Sequence, residues 1–190
     1  MAVHTSADLR VGQASVMMPQ EAVKWATAPG LAVGDVLHAW HSDHLVDVPI
    51  GPTFDVLRVI APVGWAALAI MRAEGHHFGP VVEVLSHPML EVVIPPAAAA
   101  DWPLIDHTVC VAVNQGRLRC PPPTITARSI PVDERVWAFA PSAIAYTDAE
   151  ALHEAVATAR DRYRRRHVPD DPDEERERYH GARRLTLASQ

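Results

Sequence analysis

The chain has 190 residues, 48% of them hydrophobic, and 17 basic against 23 acidic side chains give it a formal net charge of −6. That is enough to bury a core without disulfides, and it excludes a surface that is basic throughout, so nucleic acid could be met only by a local patch. Its two cysteines, Cys110 and Cys120, are too few for a disulfide framework. Its apolar runs are of strand length, short of the roughly 20 residues of a membrane-spanning helix, and no cationic segment with an apolar h-region opens it, so a cytoplasmic protein is expected.

Residues 1–18 show no clear period. Pro19-Gln20-Glu21 opens a short helix that runs to Ala28 and stops at Pro29-Gly30, and a second short helix is expected from Val33 to Trp40. His38, His41 and His44 follow at i, i+3 and i+6. With Asp43 they form a candidate metal site, set against the plainer reading of a polar helix end.

The most apolar stretch, Leu45 to Pro96, reads as strand, turn, strand, helix, strand, strand. It holds no P-loop, dinucleotide-binding glycine pattern, nucleophile elbow or CxxC. On the strand from Phe54 to Ile60, alternation puts Phe54, Val56, Arg58 and Ile60 on one face and Asp55, Leu57 and Val59 on the other. Asp55 is an acid on an apolar strand, which requires either a structural partner or a chemical task. Pro62 starts a helix that Gly75 ends, with Trp65, Leu68, Ala69 and Met71 expected to pack on the sheet. Val81–Leu85 and Met89–Ile94 flank Ser86-His87-Pro88, too tight a link for a parallel crossover, and therefore pair as a hairpin or bent strand with His87 at the bend.

Ala97 to Trp102 makes a small helix or turn. Thr108–Val113 and Arg117–Cys120 read as a second hairpin about Asn114-Gln115-Gly116, ended by Pro121-Pro122-Pro123. A further strand covers Val136 to Phe139. Thr147-Asp148-Ala149-Glu150 has the form of a capping box and opens a helix from about Asp148 to Arg165. The run RDRYRRRHVPDDPDEERER then passes from a basic helix end into an acidic, proline-broken segment. Arg160, Arg162, Arg164, Arg165 and Arg166 are the candidate nucleic-acid contacts, against the reading of a solvated helix end. The expected organisation is an N-terminal segment with short helices (1–36), a core (37–166) and a charged, disordered tail (167–190).

Five features taken together resemble the N-terminal domain of the bifunctional primase/polymerase family, within the archaeo-eukaryotic primase superfamily. They are the tryptophan-bearing segment Leu37–His44, the run VPIGPTFDV from Val48 to Val56, Gly79-Pro80-Val81 before a hairpin, a strand pair ending in Pro121-Pro122-Pro123-Thr124, and Trp137 with Pro141 before the last helix. The likeness is to the shortened, divergent versions of Streptomyces-type actinobacteria. It implies a single α+β domain with a mixed or antiparallel central sheet and flanking helices, largely on one face.

Active members of that family are similar to other polymerases in using several carboxylates to hold two divalent ions, Mg2+ or Mn2+, between the attacking hydroxyl and the triphosphate. The resemblance assigns the first acid to Asp55, the histidine to His87 and the third acid to Asp106. The place of the second acid is held by Leu57, which cannot ligate a metal; Asp47 is the nearest substitute. The expectation is a degenerate nucleotidyltransferase that binds nucleotide or nucleic acid. The alternatives are a non-catalytic module for a protein partner and a histidine-based metal protein.

Overall fold

The structure is a computed structural model and describes residues 19–51, 53–106, 108–111, 116–143 and 145–167. The tail expected to be disordered lies, beyond His167, outside them. Two short helices lead, α1 (Gln20–Thr27) and α2 (Val33–His41), followed by β1 (Val46–Pro49) and β2 (Asp55–Ile60). Helix α3 (Ala61–Ala73) comes next, then β3 (Val81–Val84) and β4 (Met89–Ile94), paired as the expected hairpin. Strands β5 (Thr108–Val111), β6 (Arg117–Cys120) and β7 (Arg135–Phe139) precede the long helix α4 (Ala149–His167). The fold is a single α+β domain. Five strands in the order β5-β2-β4-β3-β7 form the central sheet, every neighbouring pair antiparallel.

Both faces of this sheet are covered, so β2 and β4 carry mostly apolar side chains on both sides, with Asp55, Arg58 and Glu91 the exceptions, and lack the clean alternation of a half-solvated antiparallel strand. On one face Leu57, Val59, Leu90, Val92 and Ile94 pack with Val63, Ala67 and Met71 of α3 and Leu152, Val156 and Ala159 of α4. On the other, Val56, Val82, Val93 and Trp137 pack with Ala22 and Ala26 of α1, Val36 and Trp40 of α2, and β1 and β6. The helices are thus divided between the faces, where the family resemblance implied a largely one-sided arrangement. The boundary expected before residue 37 falls inside α2, and the buried Ala22, Ala26 and Val36 make residues from 20 onward part of the core.

The second expected hairpin is not formed. Strand β6 pairs with β1 in a two-stranded ribbon, Val46 opposite Cys120 and Pro49 opposite Arg117, while β5 pairs with β2 at the edge of the main sheet. Burial patterning explains the separation. In β6 the exposed Arg117 and Arg119 alternate with the buried Leu118 and Cys120, which suits a ribbon laid with one face on the core. Val109-Cys110-Val111 is apolar without alternation and suits the larger sheet.

Helix α3 also departs from expectation, with Trp65 and Ala69 turned away from the sheet. Trp65 is 38% exposed, its Nε1 donating to Glu83 Oε1 at 3.1 Å, and Ala69 is exposed as well. At about 100° per residue these two lie across the helix from the arc of Val63, Ala67, Leu68 and Met71 that meets the sheet.

Two buried indoles fasten the ribbon: Trp40 Nε1 donates to the Cys120 carbonyl at 3.2 Å and Trp137 Nε1 to the Pro121 carbonyl at 2.8 Å. Burial, and after it the nearby Glu91 carboxylate, raises the Cys120 thiol well above its ordinary pKa. We expect Cys120 to escape iodoacetamide in the native protein at about pH 8 and to react fully once unfolded, read by mass mapping of the adducts. The folded thiol keeps its proton where the unfolded one loses it. Its contribution to stability is therefore full below the ordinary thiol range of about 8.5 and declines as pH rises from there.

Candidate functional site

The three residues that the family resemblance places in a catalytic site stand apart. Asp55 opens β2 opposite Ile94, whereas His87 lies in the turn before Met89, which is paired with Ile60 at the other end of the strand. Five residues of strand separate these ends by about 17 Å. Asp106 precedes Thr108, the partner of Val59, and so also belongs to the end away from Asp55. It is exposed and accepts a 3.0 Å bond from Arg160 Nη2. His87 is exposed in its turn.

Asp55 itself has a structural partner. It is fully buried on the face that meets α3 and α4, and its Oδ2 accepts the Ala99 backbone N–H at 3.0 Å, holding down the Pro95–Ala100 turn that follows its pairing partner Ile94. Its buried Oδ1 has no hydrogen-bond partner among the described residues. Leu57, on the same face, is buried in the α3–α4 core. Asp47 lies on the ribbon over the opposite face and is half-exposed beside Arg119, 3.7 Å away. These donors do not fit a two-metal centre, whose ions sit about 3.5–4 Å apart between converging carboxylates.

His38 and His41 are exposed on α2 and His44 is exposed just past it; His41 Nδ1 is 2.6 Å from the Leu37 carbonyl. No group of three or more His, Cys, Asp or Glu side chains suited to a metal occurs among the described residues.

Of the arginines on α4, Arg160 is engaged by Asp161 and Asp106, and Arg162, Arg164, Arg165 and Arg166 are exposed over its last turns. The hydrogen bond from Arg160, followed by the charge of Arg160 and then those of Arg164 and Arg165, lowers the Asp161 pKa. Among the described residues no helix is long and apolar enough to cross a membrane.

Two clefts open at the Asp55 end of the sheet. The segment after β7 turns back over this end and is pinned there: the Thr147 N–H donates to the Val93 carbonyl at 2.9 Å, and Thr147 Oγ1 accepts the Gly79 N–H at 3.0 Å. The approach is close enough to demand glycine, because a Cβ on Gly79 would lie 2.5 Å from the Tyr146 carbonyl carbon.

On one side of the pinned segment is a cleft of about 210 Å³ lined by Glu21, Lys24, Trp25, Thr53, Phe54, Ser142 and Tyr146, among others. Trp25 stacks on Phe54 at 5.2 Å and meets Trp137 edge-on at 6.1 Å, so its indole is fixed as a wall. Thr53 adds a buried Oγ1 with no hydrogen-bond partner among the described residues. On the other side is a cleft of about 460 Å³ whose lining includes Arg72, His76, His77, Phe78, Phe139 and Ser142.

Apart from Phe54 and Phe139, these residues come from α1, the end of α3 and three loops, where no periodic pattern marks them. The one local signal was the pair His76-His77 with Phe78, directly after the glycine that stops α3. No family model, no curated protein and no solved structure matches the chain.

Proposed function

We propose that this protein is a divergent primase/polymerase-like protein that has lost nucleotidyl transfer and binds a nucleotide or nucleic acid. The observation that carries the binding half is the aromatic cleft. A rigid indole, the exposed Tyr146 ring and the hydroxyls of Thr53 and Ser142 converge in a volume below the roughly 300 Å³ of a drug-sized site, which suits one planar ring system. Stacking supplies affinity and the Thr53 hydroxyl, without a partner among the described residues, supplies a hydrogen bond, while Glu21 and Lys24, both exposed in the lining, offset each other in charge. The loss of transfer is supported by the buried Leu57 and by the dispersal of Asp55, His87 and Asp106.

Template-directed extension by the isolated chain with Mg2+ or Mn2+ is expected to yield no product, and a nucleoside titrated into the chain is expected to quench tryptophan fluorescence. Tyr146→Ala should weaken that binding by on the order of tenfold, the usual effect of removing one stacking partner of a base. Robust synthesis by the unmodified chain would overturn the loss of transfer, and nucleoside binding untouched by Tyr146→Ala would overturn the assignment of the cleft.

A further inference from the structure

The larger cleft has a different chemistry from the aromatic one. Among the described residues its hydrogen-bonding side chains are a guanidinium, two imidazoles and a hydroxyl, and no carboxylate lines it. Arg72 is held from below: its guanidinium carbon lies 5.6 Å from the centroids of both Phe78 and Phe139, whose rings pack 4.9 Å apart. Aromatic faces fix the position of a cation while leaving its N–H fork unspent. The nearest acid in sequence, Glu74, is outside the lining and stands 3.9 Å from His76 Nε2. The C-terminal carbonyls of α3 would oppose an anion, but those of Ile70, Met71 and Arg72 already accept the N–H groups of Glu74, His76 and Gly75. A planar cation, two imidazole N–H donors and a hydroxyl around an open cleft suit the oxygens of a phosphate group.

We propose that this cleft binds the terminal phosphates of a nucleoside phosphate whose base occupies the aromatic cleft, with the ligand crossing at Ser142, which lines both. The proposal rests on the nucleotide reading above and adds to it a substrate class, a free nucleoside di- or triphosphate, and a second set of contacts. The two clefts divide the ligand between them. Base contacts belong to Trp25, Phe54 and Tyr146, and phosphate contacts to Arg72, His76 and His77.

The test is calorimetric titration of the full chain with a nucleoside, the corresponding triphosphate, inorganic pyrophosphate and a short single-stranded oligonucleotide with a 5′-hydroxyl, repeated on Arg72→Gln and on His76→Gln/His77→Gln. The triphosphate should bind the native chain more tightly than the nucleoside. Arg72→Gln should lower triphosphate affinity by about tenfold or more, the effect of losing a charge-assisted hydrogen bond, and leave nucleoside affinity unchanged. The double histidine variant should act in the same direction, so that misfolding of either variant, seen by thermal melting, leaves the other to decide. Pyrophosphate should compete with the triphosphate but not with the nucleoside.

Triphosphate affinity equal in the native chain and a folded Arg72→Gln variant would overturn the phosphate subsite. So would Arg72-dependent binding of the oligonucleotide in preference to the triphosphate, which would assign the cleft to backbone phosphodiesters. Arg72-dependent pyrophosphate binding with no nucleoside binding would uphold the anion site and refute the nucleotide reading alone.

Discussion

Replacing Leu57 by Asp is expected to unfold the domain and to create no metal site. The residue occupies the position of the missing second acid, but its side chain is fully buried between β2 and the α3–α4 layer, packed among Val59, Leu90, Val92 and Ile94. Removing a buried Leu forfeits about 1.5–3 kcal/mol of transfer free energy, and an unpaired carboxylate in its place adds a desolvation cost of several kcal/mol more. Their sum is at least about 5 kcal/mol, which reaches the whole stability of many domains at about 5–15 kcal/mol. Urea unfolding followed by circular dichroism measures it, with Leu57→Met as a control expected to cost less than about 1.5 kcal/mol. A Leu57→Asp protein with the native midpoint and a gain in Mg2+ or Mn2+ affinity would refute this placement and restore β2 as a catalytic strand.

The second large effect is expected at Glu91, which is 2% exposed on the opposite face of the sheet. Its Oε1 accepts from Arg58 Nε at 2.9 Å, from the residue directly opposite on β2, and its Oε2 accepts from Arg135 Nη1 on β7. Arg135 Nη1 also reaches the Arg119 carbonyl at 3.4 Å, so the network ties the sheet to the ribbon. Glu91→Ala removes the shared anion and leaves two guanidinium groups facing each other at a buried site, with an expected loss of about 3–5 kcal/mol. Between the cations, Arg135 is the more enclosed, its side chain 13% exposed against 32% for Arg58. Arg135→Ala should therefore lower the melting temperature more than Arg58→Ala, because solvent screens the Arg58 pair. Equal losses in the two variants would contradict a burial-weighted network. Replacing all three charges together with apolar residues of similar volume should recover most of the stability lost in Glu91→Ala, since the desolvation of all three disappears at once.

Asp55 and Glu91 were not equally visible in the chain. Asp55 stood out as an acid on an apolar strand requiring a partner or a task, and the partner proved to be the Ala99 N–H, 44 residues away. Glu91 sits in an equally apolar strand, yet no local sign tells that two arginines from other strands close on it. The candidate metal set joined residues by their order in a family pattern, whereas the antiparallel register sends Asp55 and His87 to opposite ends of β2 and β4.

The sequence by itself determined the identity and approximate ends of most elements. Pro19 and Pro29-Gly30 bracket α1, Pro62 and Gly75 bracket α3, and Ser86-His87-Pro88 turns β3 into β4; α4 is capped by Asp148 Oδ1, which accepts the Ala151 N–H at 2.8 Å, in place of the expected Thr147 capping box, since Thr147 Oγ1 accepts the Gly79 N–H. Each of these is decided within a few residues, by a missing N–H, a permissive φ or a side-chain cap, so the physics is contained in the local string. The tertiary structure alone decided that β6 joins β1 and β5 joins β2, that the helices divide between the two faces of the sheet, that Leu57 faces a core, and that Trp25, Thr53, Arg72 and Tyr146 gather at one end around Ser142. Those outcomes depend on which apolar surfaces can be buried together across long stretches of chain, a competition among nonlocal pairings that no single segment encodes.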